Sequence, residues 1–137
     1  MFHSNLPFRR VFILGDNSLF EEGMTHMLRL GTGLHVSNVK YINDLTFLEM
    51  VVQNKPDVIV LDEAKSIDAA HILELLFSTP ALVSLCIIIV RLGNNMIDVY
   101  KIPKNQRIVG NIHERRQFTI TKRDDFLAVV QGTFQRI

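Results

Sequence analysis

Short apolar runs alternate with segments of helical periodicity over the first two thirds of the chain. The runs span residues 11–14, 34–39, 58–61 and 85–90. Between them, apolar residues recur at helical spacing, and helix-capping or helix-stopping residues bound each segment. This β-α alternation is typical of a parallel sheet with right-handed crossovers and helices on both faces.

The last third follows a different pattern. Residues 91–121 contain no convincing amphipathic helix. Residues 96–102 look extended, residues 107–109 could return as a hairpin arm, and residues 117–121 alternate as another strand. A last helix is predicted over residues 122–131. We therefore expect β structure where a regular doubly wound fold would place its fourth helix.

Length and composition indicate one globular domain. The chain has 137 residues, of which 47% are hydrophobic and 21% charged. These values predict a single domain over residues 1–137, with residues 1–10 as a loose lead-in. The net charge of +1 indicates no particular partner. Residues 91–123 are nevertheless basic, and this region could be a solvated surface or bind an acidic partner such as nucleic acid.

The cysteine content and the hydropathy of the sequence indicate the cellular compartment in which the protein is expected. The single cysteine, Cys86, excludes an internal disulfide and is predicted to be a buried apolar side chain. Residues 1–10 carry no signal-peptide pattern, and no apolar stretch approaches the length of a membrane span. We expect a cytoplasmic protein with no membrane partner.

Carboxylates follow two of the apolar runs. Asp16 lies just after the first run, and Asp62 ends the third. Ligands of open α/β sheets bind at the carboxyl ends of the strands, and neighbouring strands lie about 4.8 Å apart. Asp16 and Asp62 could therefore share one cation. No Gly-rich dinucleotide fingerprint or P-loop appears in the sequence, and no histidine has metal-ligand spacing with another histidine or with the cysteine.

Two of these segments resemble the receiver domains of bacterial two-component response regulators. Residues 11–23, VFILGDNSLFEEG, are similar to the first strand and helix of that family, and residues 56–62, PDVIVLD, to its third strand. The resemblance covers roughly the first two thirds of the chain. It implies a flavodoxin-like α/β fold with strand order 2-1-3-4-5 and a signalling domain rather than an enzyme.

The resemblance also implies roles for individual residues. Asp62 would be the phosphoacceptor. Asp16, Asp62 and the backbone carbonyl of Ala64 would hold Mg²⁺, which neutralises charge on the phosphoryl oxygens during transfer. Lys101 and Lys104 are both candidates for the lysine that contacts the phosphoryl group.

The sequence departs from the family at two important positions. Gly15 replaces the first acid of the metal-binding pair, which predicts weaker Mg²⁺ binding. Arg91 stands where the family has a small hydroxyl residue that switches toward the phosphoryl group. The Arg91 guanidinium could pair with Asp62 or Asp16, or it could simply extend into solvent.

Three functions remain open at this point. We favour a pseudo-receiver that acts by binding a protein partner, or a second copy of itself, through the C-terminal third. The alternative is a phosphorylation-competent receiver, which a histidine kinase would phosphorylate on Asp62. A basic nucleic-acid-binding domain is the least favoured of the three.

Overall fold

The structure, a computed structural model, describes residues 9–15, 19–31, 33–62, 68–91, 96–102, 115–119 and 123–132. The elements in these residues are β1 Arg9–Gly15, α1 Leu19–Arg29, β2 Leu34–Lys40, α2 Asp44–Asn54, β3 Val58–Asp62, α3 Ala69–Phe77, β4 Leu85–Arg91, β5 Met96–Ile102, β6 Arg115–Thr119 and α4 Arg123–Gln131. Every predicted helix and strand in this part of the chain is present. The predicted hairpin arm at residues 107–109 lies outside the described residues.

The described strands form one sheet in the order β2-β1-β3-β4-β5-β6. The pairs β1–β2, β1–β3 and β3–β4 are parallel, whereas β4–β5 and β5–β6 are antiparallel. The predicted α/β class and the order 2-1-3-4-5 are confirmed, with β6 added at one side. The sheet is mixed because only residues 92–95 separate β4 from β5. A parallel neighbour would need a crossover of about a dozen residues or more.

Helices cover both faces of the sheet. The face that we call the α2/α3 core collects the buried side chains Phe12, Leu14, Phe47, Val51, Ile59, Leu61, Ile72, Leu76, Ile87 and Ile89. The opposite face, the α1/α4 core, collects Val11, Ile13, Met24, Leu28, Val58, Val60, Cys86, Ile88, Val90, Phe126, Val129 and Val130. Strands that are buried on both faces read as continuous apolar runs, as β3 and β4 do. The prediction that Cys86 is buried is confirmed.

Local side-chain contacts fix where α2 and α3 begin. The Asn43 side-chain oxygen accepts a hydrogen bond of 2.8 Å from the Thr46 backbone N–H. Asp68 accepts one of 3.2 Å from the backbone N–H of His71. These bonds satisfy backbone N–H groups in the first turn of each helix, and both helices start at the end of the sheet where β2 and β3 finish. None of the described helices has the length and hydrophobicity to cross a membrane.

Candidate functional site

Asp62 is the last residue of β3 and occupies the middle of the sheet. It lies opposite Val90 of β4, and the preceding residue Leu61 lies opposite Leu14 of β1. Residues directly opposite in a sheet share a face, so the Asp62 carboxylate is on the side of the α1/α4 core, as Val90 is. The side chain is buried, with 3% of its surface exposed. The structure thus places this carboxylate at the carboxyl end of a central strand.

The position beside Asp62 on β1 is a glycine. Gly15 follows Leu14 and is buried at the end of β1, so this strand position carries no carboxylate. The other residues predicted to hold Mg²⁺, Asp16 and Ala64, lie outside the described residues. Within the described ranges no group of three or more His, Cys, Asp or Glu side chains could hold a metal ion.

Arg91, at the end of β4, forms an ion pair with Asp98 of β5. The Arg91 Nε donates a hydrogen bond of 2.9 Å to Asp98 Oδ2, and a terminal guanidinium nitrogen donates to the same oxygen. The Asp98 side chain is fully buried, whereas 27% of the Arg91 side chain is exposed. A buried carboxylate requires a compensating charge and hydrogen bonds, which Arg91 supplies across the two strands.

The pleat of the sheet explains why this partner was not predicted. Side chains alternate between faces along a strand, so Arg91 lies on the opposite face from its neighbour Val90. Val90 shares its face with Asp62, whereas Asp98 lies opposite Ile89 and shares the face of the α2/α3 core with Arg91. The ion pair that the structure describes joins Arg91 to Asp98, a partner that was not among the alternatives considered from the sequence. The sequence feature that could have indicated this ion pair is the carboxylate of Asp98 among the apolar residues of β5.

Lys101 lies at the far end of the sheet from Asp62. Because β5 runs antiparallel to β4, Lys101 lies opposite Cys86, four residues before Val90. At about 3.3 Å per residue this separation is roughly 13 Å along the strand. The position does not suit the predicted contact with a phosphoryl group on Asp62. The other candidate, Lys104, lies outside the described residues.

A second polar cluster lies where β2 and β3 lead into their helices. His71 Nε2 lies 3.0 and 2.9 Å from the two carboxylate oxygens of Asp44, and the Tyr41 hydroxyl donates to Asp44 Oδ1. The hydrogen bonds from Tyr41 and His71 lower the pKa of Asp44. The hydrogen bond between His71 and Asp44 raises the pKa of His71. The hydrogen bond from Tyr41 to Asp44 likewise raises the pKa of Tyr41. The sequence did not predict this cluster, because a contact between two helices leaves no local pattern.

A cleft of about 380 Å³ lies at the other end of the sheet. Its lining residues are Arg10, Phe12, His35, Ser37 and Asn54. Arg10 and Phe12 precede the carboxyl end of β1, and Asn54 is the last residue of α2. The cleft is therefore separate from the carboxyl end of the sheet that contains Asp62.

No protein-family model matches the sequence, and a search of curated proteins finds no similar sequence. Among solved structures, one similar chain is the signal receiver domain of a protein described as the response regulator NarL, from Mycobacterium tuberculosis. It is 23% identical, with a TM-score of 0.46, over 62% of this chain and 67% of that one. This likeness is partial and assigns no role to any residue here.

Proposed function

We propose that the chain is a receiver-like signalling domain that acts by binding another protein and whose state does not depend on phosphorylation. The observation that carries this proposal is the antiparallel pairing of β5 with β4. A regular doubly wound fold would place a helix after β4, followed by a parallel strand. Here the chain extends the sheet with β5 and β6 instead, so the surface beside β4 is built differently.

The positions of three residues support the same conclusion. Gly15 lies where the resemblance implies an acid. Arg91 lies where it implies a movable hydroxyl, and its guanidinium is bonded to buried Asp98. Lys101, a candidate for the phosphoryl-contacting lysine, lies at the other end of β4. A phosphoryl group on Asp62 would therefore lack several of the side chains that the resemblance implies around it: the acid, the hydroxyl residue and this lysine.

The remodelled C-terminal third is the surface that we assign to the partner. It comprises β5, β6 and α4, and the Arg91–Asp98 pair fixes β5 against β4. The partner is a different protein or a second copy of this chain. Sedimentation velocity over a hundredfold range of concentration separates the two, because a second copy produces a concentration-dependent mass and a different protein does not.

A phosphorylation-competent receiver is the alternative, and Asp62 is the observation in its favour. The carboxylate lies at the end of a central strand, between β1 and β4, where the resemblance implies a phosphoacceptor. In that case Asp62, Asp16 and the Ala64 carbonyl would hold Mg²⁺, which would neutralise charge on the phosphoryl oxygens.

Amide NMR spectra distinguish the two functions. The protein is titrated with millimolar Mg²⁺ and then with excess beryllofluoride, a mimic of the phosphoryl group, and Asp62→Asn is the matched control. We expect neither addition to shift the amides of Gly15, Asp62 or Val90. Shifts at these amides in the wild-type protein that are lost in Asp62→Asn would overturn the proposal and establish the phosphorylation-competent alternative.

A further inference from the structure

We propose that Tyr41, Asp44 and His71 form a pH-sensitive contact that holds the first turns of α2 and α3 together. Asp44 is the first residue of α2, and His71 lies in the first turn of α3. The two residues are 27 positions apart in the sequence, and the distances of 2.9 and 3.0 Å place one imidazole nitrogen against both carboxylate oxygens. The contact therefore joins the first turns of two helices that are distant in sequence.

The Tyr41 side of the cluster packs against the α2/α3 core. The Tyr41 ring packs edge-on against Phe47, with ring centroids 5.9 Å apart, and Phe47 is 2% exposed. On α3, the neighbour of His71 is Ile72, which is 1% exposed in the same core. The Asp44 and His71 side chains are 42% and 47% exposed, so the pair lies at the rim of this core.

The charges around the imidazole set the direction of the pH dependence. The pKa of Asp44 is lowered, so this carboxylate stays ionised through the neutral range. The pKa of His71 is raised by the hydrogen bond to Asp44 and by its charge, and more weakly by Asp68 and Glu74 on its own helix. Below that raised pKa the contact is a charge-assisted ion pair. As the pH rises through it, His71 loses its proton and a weaker neutral hydrogen bond remains.

His71 lies in α3, the first described helix after Asp62 in the sequence. Seven positions separate Asp62 from Ala69, where α3 begins. The protonation of His71 therefore biases the start of α3. Only the use of this effect in signalling rests on the proposed function, since the contact itself does not require it.

The test is an NMR pH titration of the full chain between pH 5 and 9. The His71 Cε1–H signal gives its titration midpoint. We expect the His71 midpoint to lie above the ordinary histidine value of about 6.5 and to fall back toward it in Asp44→Asn. The amide of Ala69, at the start of α3, is expected to shift with the same midpoint in the wild-type protein and to lose that transition in Asp44→Asn.

Asp68→Asn is the matched control, because asparagine caps a helix as well as aspartate does while removing the charge. Its effect on the His71 midpoint should be smaller than that of Asp44→Asn. An ordinary His71 midpoint in the wild-type protein, an equal effect of the two variants, or an unchanging Ala69 amide would each overturn the proposal. The titration contains neither Mg²⁺ nor beryllofluoride, so its outcome is independent of the phosphorylation test.

Discussion

Replacing Arg91 by methionine should destabilise the fold strongly, because it removes the cation that Arg91 supplies to the buried Asp98 carboxylate. The Asp98 side chain has no exposed surface, and Arg91 donates two hydrogen bonds to it. Removing one partner of a buried ion pair costs about 3–5 kcal/mol. Since 27% of the Arg91 side chain is exposed, we expect the lower end of that range, about 3 kcal/mol. Such a loss is a large part of a total stability of about 5–15 kcal/mol.

Urea unfolding followed by circular dichroism measures this loss. With a slope of about 1–3 kcal/mol per molar urea, the midpoint of Arg91→Met should fall by about 1–3 M. Lys101→Met is the matched control. It also removes a cation near β4, but Lys101 is exposed, so its change should stay within about 0.5 kcal/mol.

The double variant Arg91→Met/Asp98→Leu keeps the test decisive even if the single variant does not fold. Replacing both charges by apolar side chains leaves no buried charge, so most of the lost stability should return. A single variant within about 0.5 kcal/mol of the wild-type protein would refute the reasoning. A double variant no more stable than the single one would refute it equally.

Three further variants test the core and the helix ends, each by the free energy of unfolding in urea. Ile88→Ala should cost about 2–5 kcal/mol, because Ile88 is fully buried in β4; a loss below 1 kcal/mol would contradict this. Asn43→Ala should cost about 1 kcal/mol through loss of the bond to Thr46, whereas Asn43→Ser should cost much less. Lys55→Gly should stabilise the protein by up to about 1 kcal/mol, because Lys55 ends α2 with a φ of 50°; a loss of stability would contradict this.

Local patterns were sufficient to predict the helices, strands and caps of the described residues. The apolar run of β3, the capping side chains of Asn43 and Asp68, and the proline after Lys55 each act within a few residues of the chain. The position of Asp62 followed from the same patterns, because a run of buried residues that ends in a carboxylate places that carboxylate at a strand end. These features could be predicted because their causes are local in sequence.

The partners of the charged side chains required the tertiary structure. Arg91 bonds to Asp98 because the short connection between β4 and β5 forces an antiparallel register, and the pleat then puts these two side chains on one face. The same register carries Lys101 to the far end of the sheet. His71 meets Asp44 only because two helices that are distant in sequence start side by side. The sequence thus determined where each helix and strand forms. Strand direction, the face of the sheet on which each side chain lies, and helix packing decided which charged side chains pair with each other.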